Sequence, residues 1–300
     1  MGPAACATVG VYGRILEPGD SSYLCANTDE VRRTVGTVGA PTERGRLVSL
    51  AVVVPSIAEI LDQEQLNVVD IGARDGLCAD FRGISGCVDI VGFEPDQDEC
   101  ARLAVGLADG GWRSARVLPY AIAGASGQRT LYRYRDPRLD SFLLPNPAVS
   151  YSDDWVVVGQ TTVDAVSLAD LARAGQLPVR TDFLKIDTQG TELEILRGRG
   201  DSHGDDPILG VHVELGFAER YLGQAHFYEV DALLRNEAFT LFALEPVYFG
   251  GRYVEEVATE PVTRRQLSHC DALYLRDRHW MNAAGAKDPS TLRRLIEDVP

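Results

Sequence analysis

An α/β fold, with a mostly parallel sheet covered by helices on both faces, is what the sequence predicts, and three observations carry that expectation. Short apolar runs that end in glycine or an acidic residue recur through the middle of the chain, the first being "VVDIGARDG" at Val68–Gly76. Stretches with apolar residues at helical spacing lie between several of these runs. The two kinds of segment alternate, which is the rhythm of βαβ units whose crossovers bury a parallel sheet on both sides.

Taken in order, residues 1–46 are rich in Gly, Thr and Ala without a sustained period and read as an arm or partly ordered cap. Residues 47–277 form the expected domain, opening with a helical pattern at Leu47–Gln63. Strands are expected at Val68–Ile71, Ile90–Glu94, Ala115–Leu118, Phe183–Asp187, Leu209–Leu215, Thr240–Leu244 and Ala272–Arg276. Helices are expected at Pro95–Ala108, Ser167–Ala174, Glu192–Arg197 and Phe227–Glu237. One stretch, at about 129–162, breaks the rhythm. There "RTLYRYRD" alternates with period two, "SFLLPNPAVSYSDDW" is loop-like and "VVVGQTTVDAV" is extended. That pattern predicts an inserted hairpin whose loop covers the site. The tail, 278–300, ends in "DPSTLRRLIEDV", which places Leu292, Leu295, Ile296 and Val299 on one helical stripe. Such a helix is expected to dock on the body or on a second copy, so a homo-oligomer stays open.

The 300 residues carry 29 Lys plus Arg against 44 Asp plus Glu, a net charge of -15. That balance argues against nucleic acid and anionic membrane surfaces as main partners and leaves small molecules or neutral polymers. The six cysteines (Cys6, Cys25, Cys78, Cys87, Cys100, Cys270) include no C-x-x-C pair and read as free thiols in a reducing cytoplasm. No basic region precedes an apolar segment near the start, and the longest apolar run is broken by Pro55 and charged at Glu59. Neither a signal peptide nor a membrane span is expected.

The turn after the first strand identifies a ligand class. In an open α/β sheet the ligand crevice lies beyond the carboxyl ends of the strands, where strand order reverses. A glycine turn there admits close backbone approach, and a following helix would offer its N-terminus. The pattern D-x-G-x-x-x-G from Asp70 to Gly76 lacks the G-x-G-x-x-G of a dinucleotide site, and Arg74 and Asp75 stand where a pyrophosphate wants small residues. Eighteen residues on, "VGFEPD" ends a second strand in Glu94, from which a carboxylate can take both hydroxyls of a ribose. A ribose without a pyrophosphate describes S-adenosylmethionine. Helix capping is the alternative role for each acidic residue alone; their joint placement at the ends of successive strands favours a cofactor site.

With those residues on the page, "VVDIGARDG", "VGFEPD", "YAIAGASGQRTLY", "FLKIDTQGTELEILRG" and "GVHVELGFAERYLGQAHF" together resemble the FkbM-type methyltransferases, from about Leu66 to Arg276. The resemblance implies a Rossmann-like class I fold with a seven-stranded sheet whose last hairpin is antiparallel. It implies S-adenosylmethionine as cofactor and methylation mostly of hydroxyl groups. It carries cofactor binding onto Asp70, Gly72, Gly76, Glu94 and the Ala121–Ile122 region. The expected lining is completed by Ala73, Arg74, Pro95, Ser141 and Asp187. Ala218, Glu219, Arg220, Ser268 and His269 depart from the familiar frame.

Methyl transfer to an alcohol requires alignment and removal of the hydroxyl proton. Asp187 closes the strand "FLKID" at the same edge as Asp70, and the next strand places His212 and Glu214 on one face by its period of two. Asp187, Glu214 and His212 are therefore the catalytic candidates. His212 or Glu214 has the chemistry of a general base; a divalent metal held by the three is possible but not favoured, because the ligand set is thin. Tyr221, Gln224 and His226 are candidates for the acceptor wall. The leading expectation is an O-methyltransferase acting on a small secondary metabolite or sugar. N-methylation of a small amine and a catalytically silent cofactor-binding module are the alternatives.

Overall fold

The computed structural model describes residues 36–41, 47–52, 65–149, 152–200, 208–249 and 266–276. The chain divides into two compact units, Met1–Ser56 and Ile57–Pro300. In the first, strand β1 (Gly36–Pro41) pairs antiparallel with β2 (Leu47–Val52), in register from Gly36 opposite Val52 to Pro41 opposite Leu47. The expected helix at Leu47–Gln63 is thus a strand over its first six residues. Its short apolar run fits either period, and "LVSLAV" is rich in the β-branched and apolar residues that a pleated ribbon accepts. The rest of that segment and the C-terminal tail lie outside the described residues.

In the second unit the strands in chain order are β3 (Leu66–Ile71), β4 (Val88–Phe93), β5 (Ser114–Leu118), β6 (Ala121–Ile122), β7 (Gly127–Tyr134), β8 (Val157–Val166), β9 (Phe183–Ile186), β10 (Gly210–Gly216), β11 (Phe239–Tyr248) and β12 (Leu267–Arg276). Seven form one sheet in the order β11-β12-β10-β9-β3-β4-β5, with β12 antiparallel to both neighbours and the other pairs parallel. The chain starts in the middle at β3, runs outward through β4 and β5, then returns to β9 on the other side. Strand order therefore reverses between β3 and β9, and this is the position where ligands bind in such sheets.

The parallel strands are apolar on both faces, as burial on both sides requires. Val69, Ile71, Leu184, Ile186, Val211 and Val213 face helices α2 (Leu168–Arg173), α3 (Glu192–Gly198) and α4 (Phe227–Asn236). Val68, Ile90 and Phe183 face α1 (Gln97–Gly106) and a 3-10 run at Ala79–Cys87. That 3-10 run stands where a helix was expected to follow the first turn. Gly83 and Gly86 within nine residues disfavour an α-helix, and Ile84 leaves helical geometry altogether. On this second face, at the height of Asp70, the apolar pattern stops: Asp70, Lys185 and His212 lie side by side in register across β3, β9 and β10.

A smaller sheet of order β6-β8-β7 is built on the antiparallel β7/β8 pair. The connection between them folds back, with Ser141 bridging Tyr132, and is tied to the loop after β10. Asn146 N–H donates to the Arg220 carbonyl at 2.8 Å and Leu222 N–H to the Leu144 carbonyl at 2.8 Å. Among the described residues no helix is long and apolar enough to cross a membrane.

Candidate active site

A cleft partly open to solvent lies beyond the carboxyl ends of β3, β4 and β9, where small-molecule sites of α/β sheets are found. Gly72 opens it. Its φ is +81°, and a Cβ there would come within 1.8 Å of the Asp187 carbonyl oxygen, so only glycine lets the two strand ends approach this closely. The N–H groups of Gly72 and Ala73 both donate to the Phe93 carbonyl at 3.1 Å, and Gly76 N–H returns to Ala73. The N–H groups of Gly72, Ala73 and Gly76 are thus engaged by β4 and by the turn itself. Gly72 and Arg74 line the cleft, whereas Ala73 is packed beneath it and Gly76 stands outside its lining.

Asp70 is fully buried and does not line the cleft. It accepts the Cys78 N–H at 2.7 Å and lies 3.3 Å from the Lys185 ammonium, whose Nζ also donates to the Gly72 carbonyl at 2.8 Å. Desolvation raises its pKa and Lys185 opposes that rise. Asp70 therefore acts on the cleft through the turn it holds.

Glu94 lines the cleft and is 2% exposed. Burial raises its pKa; the Asp96 N–H at 2.8 Å and Arg74 at 3.3 Å, both on Oε1, counter it. Arg133 reaches Asp96 and Asp140 and closes an ion-pair arch across the β7 side. Pro95, Ala121, Ile122 and Ser141 line the cleft as expected, with Phe93 and Leu131 adding apolar wall. Ser141 Oγ donates to the Gln189 carbonyl at 2.7 Å, so the inserted loop is pinned to the loop after β9.

That loop brings the opposite wall together. Asp187 lines the cleft, and Gln189, held at φ +58°, donates from Nε2 to Asp187 Oδ1 at 2.6 Å and to Glu214 Oε2 at 2.9 Å. The Tyr221 hydroxyl donates to Gln189 Oε1 at 2.8 Å. Both N–H donors and the oxygen of this amide are therefore engaged, which fixes its orientation. Glu214 also accepts from Arg220 at 2.8 Å and lies 3.4 Å from His269 Nε2. Burial and the nearby Asp187 push the Glu214 carboxyl up to about 8 despite Arg220. Burial and Arg220 together hold His269 down to about 4, so its imidazole is neutral at physiological pH. Glu192, at the start of α3, accepts the N–H groups of Thr188 and Gly190 and clamps the loop.

His212 does not join this group. Two residues along a strand span about 6.6 Å, so His212 and Glu214 share a face but reach different neighbours. Its Nδ1 lies 2.6 Å from Asp80 Oδ2 in the 3-10 run. The acceptor candidates also divide: Tyr221 orients Gln189, Gln224 Oε1 accepts the Arg220 N–H at 3.1 Å and shapes the turn, and His226 caps α4, its N–H bonded to Glu229. Neither His212 nor Gln224 nor His226 lines the cleft. Gln189 was missed from the sequence; the only signal was its place before Gly190 in "DTQG".

A model of the methyltransferase FkbM domain matches residues 70–241, more than half of the chain. The chain belongs to the FkbM methyltransferase family. Solved structures similar to it include a precorrin-6y C5,15-methyltransferase from Geobacter metallireducens (11% identity, 73% of this chain and 85% of that chain covered, TM-score 0.36). Others are a SAM-dependent methyltransferase from Methanosarcina mazei (11%, 71% and 94%, 0.35) and an rRNA methylase from Streptococcus thermophilus (10%, 75% and 99%, 0.34). No curated protein matches the chain. As an FkbM methyltransferase the protein uses S-adenosylmethionine, and the cleft fits that cofactor by its donor set. A buried carboxylate suits a ribose, the apolar wall of Ile71, Phe93 and Ile122 suits a base, and the turn keeps no free row of N–H groups for a pyrophosphate.

Proposed function

We propose that the protein is an O-methyltransferase that methylates a hydroxyl of a small secondary metabolite or sugar. The observation that carries this reading is the position of Asp187. Its carboxylate lines the cofactor cleft on one side and is held through Gln189 to the buried Glu214 on the other.

Bound in the cleft, S-adenosylmethionine supplies an electrophilic methyl carbon on a sulfonium. Glu94 would hold the ribose hydroxyls and Ile71, Phe93 and Ile122 the adenine. Asp187 would take the hydroxyl proton of the acceptor, because an alcohol attacks poorly until it is deprotonated. Gln189 orients the Asp187 carboxylate by donating to Oδ1; Oδ2, 4.0 Å from the Lys185 ammonium, would be the oxygen that meets the acceptor. Glu214 acts through Gln189 and is a positioning residue. His212, which meets Asp80 instead, is given no part in this reading.

The test offers methyl-labelled S-adenosylmethionine with a panel of polyhydroxylated and amine-bearing small molecules, with products located by mass spectrometry. Label on an acceptor oxygen is the expected result. Label on nitrogen alone, or cofactor binding without transfer to any acceptor, would overturn the reading.

A further inference from the structure

The structure also brings together, on the sheet face away from α3 and α4, three side chains that the methyl-transfer reading leaves unused. Cys78 follows the β3 turn, Asp80 opens the 3-10 run, and His212 projects from β10. One ligand atom from each lies within 4.8 Å of the others. Cys78 Sγ is 3.5 Å from Asp80 Oδ2, and His212 Nδ1 is 2.6 Å from that same oxygen. We propose that Cys78, Asp80 and His212 form a binding site for a zinc-class divalent cation.

The ligand chemistry selects the ion. Thiolate, imidazole and carboxylate together suit a borderline-soft cation, whereas magnesium and calcium take oxygen ligands. Bond lengths of about 2.0–2.3 Å at tetrahedral angles separate ligand atoms by about 3.3–3.7 Å. The sulfur–oxygen separation already meets that, and the histidine–aspartate pair needs to open by under about 1 Å. The surroundings favour positive charge. Lys185, the cation in this part of the sheet, is engaged by Asp70 and by the Gly72 carbonyl, and Asp271 of β12 adds a negative charge beside His212. Cys78 is buried, with its backbone N–H fixed by Asp70, while Asp80 and His212 keep side-chain exposures of 46% and 24% and provide an entry path. Three protein ligands leave a fourth position for water. On binding, the Cys78 S–H bond is replaced by a metal–sulfur bond and its proton passes to solvent, while His212 binds as the neutral imidazole. The bound ion would join the β3 turn, the 3-10 run and β10 at one point, and so brace the turn that carries Gly72 and Arg74.

The test uses the full-length protein, stripped with chelator and titrated with zinc and, separately, with cobalt(II). One equivalent should bind, cobalt should produce a thiolate charge-transfer band, and zinc should raise Tm. Cys78→Ser should abolish the band, Cys100→Ser should keep it, and His212→Asn should weaken zinc binding by at least about 100-fold, a ligand counting for more than its outer partners. Since His212 is partly exposed, that variant reads the site even where Cys78→Ser lowers the yield of folded protein. A band that persists in Cys78→Ser, unchanged affinity in His212→Asn, or no binding to the wild type would overturn the proposal.

Discussion

Asp187→Asn is expected to lower the rate of methyl transfer by about 100- to 10,000-fold, the range over which a positioned general base contributes. The substitution keeps the shape of the side chain, and its amide oxygen can still accept from Gln189 Nε2, so the loop after β9 should retain its conformation. What is lost is the ability to take a proton from the acceptor. Single-turnover measurements with saturating acceptor read this step directly, and affinity for S-adenosylmethionine should change by no more than a few-fold, as Glu94 and the apolar wall are untouched. A rate within threefold of wild type would assign the catalysis to alignment alone.

Arg220→Leu is expected to destabilise the fold by about 1.4 kcal/mol more at pH 9 than at neutral pH, because it leaves the buried Glu214 carboxylate without its cation once that group ionises above about pH 8. Arg220 and Glu214 are both buried, and the guanidinium is the cation in contact with that carboxylate. The sign with pH follows from Glu214. Its folded pKa of about 8 lies above the ordinary 4.5, so the folded state holds a proton that the unfolded state releases between those values. Stability from this group is present below about 4.5 and is lost as pH rises towards 8. Removing Arg220 raises the folded value further. The deficit of the variant should therefore be flat from pH 5 to about 7, where both folded proteins hold the proton, and grow above about pH 8, as measured by urea unfolding. A deficit independent of pH would show that Arg220 contributes packing rather than charge.

The sheet was legible because buried parallel strands are written as unbroken apolar runs, and "VVDIG", "DIVGFE" and "FLKID" end where β3, β4 and β9 reach the cleft. The helices α1 to α4 were legible from their apolar spacing. Two local readings failed where the same residues fit two structures: "LVSLAV" carries both periods, and the glycines of Ala79–Cys87 replace an expected helix with a 3-10 run. In the site, Glu94 and Asp187 stand at strand ends, so their position followed from the strands alone. Gln189 did not, because its role depends on a positive φ and on two carboxylates from different strands meeting one amide. The separation of His212 from Glu214 was hidden for a related reason: alternation states which face a residue takes, and the neighbours on that face come from the 3-10 run and the loop after β10.

S-adenosylmethionine is expected to lie in the cleft at the ends of β3, β4 and β9 with its ribose on Glu94. Calorimetric titration of the demethylated cofactor into wild type and Glu94→Ala tests it most directly. Charge-assisted hydrogen bonds to a buried carboxylate are worth about 1.5–3 kcal/mol each, so the account predicts a Kd at least about tenfold weaker in the variant, with the unfolding transition still cooperative. An unchanged Kd in Glu94→Ala would contradict it.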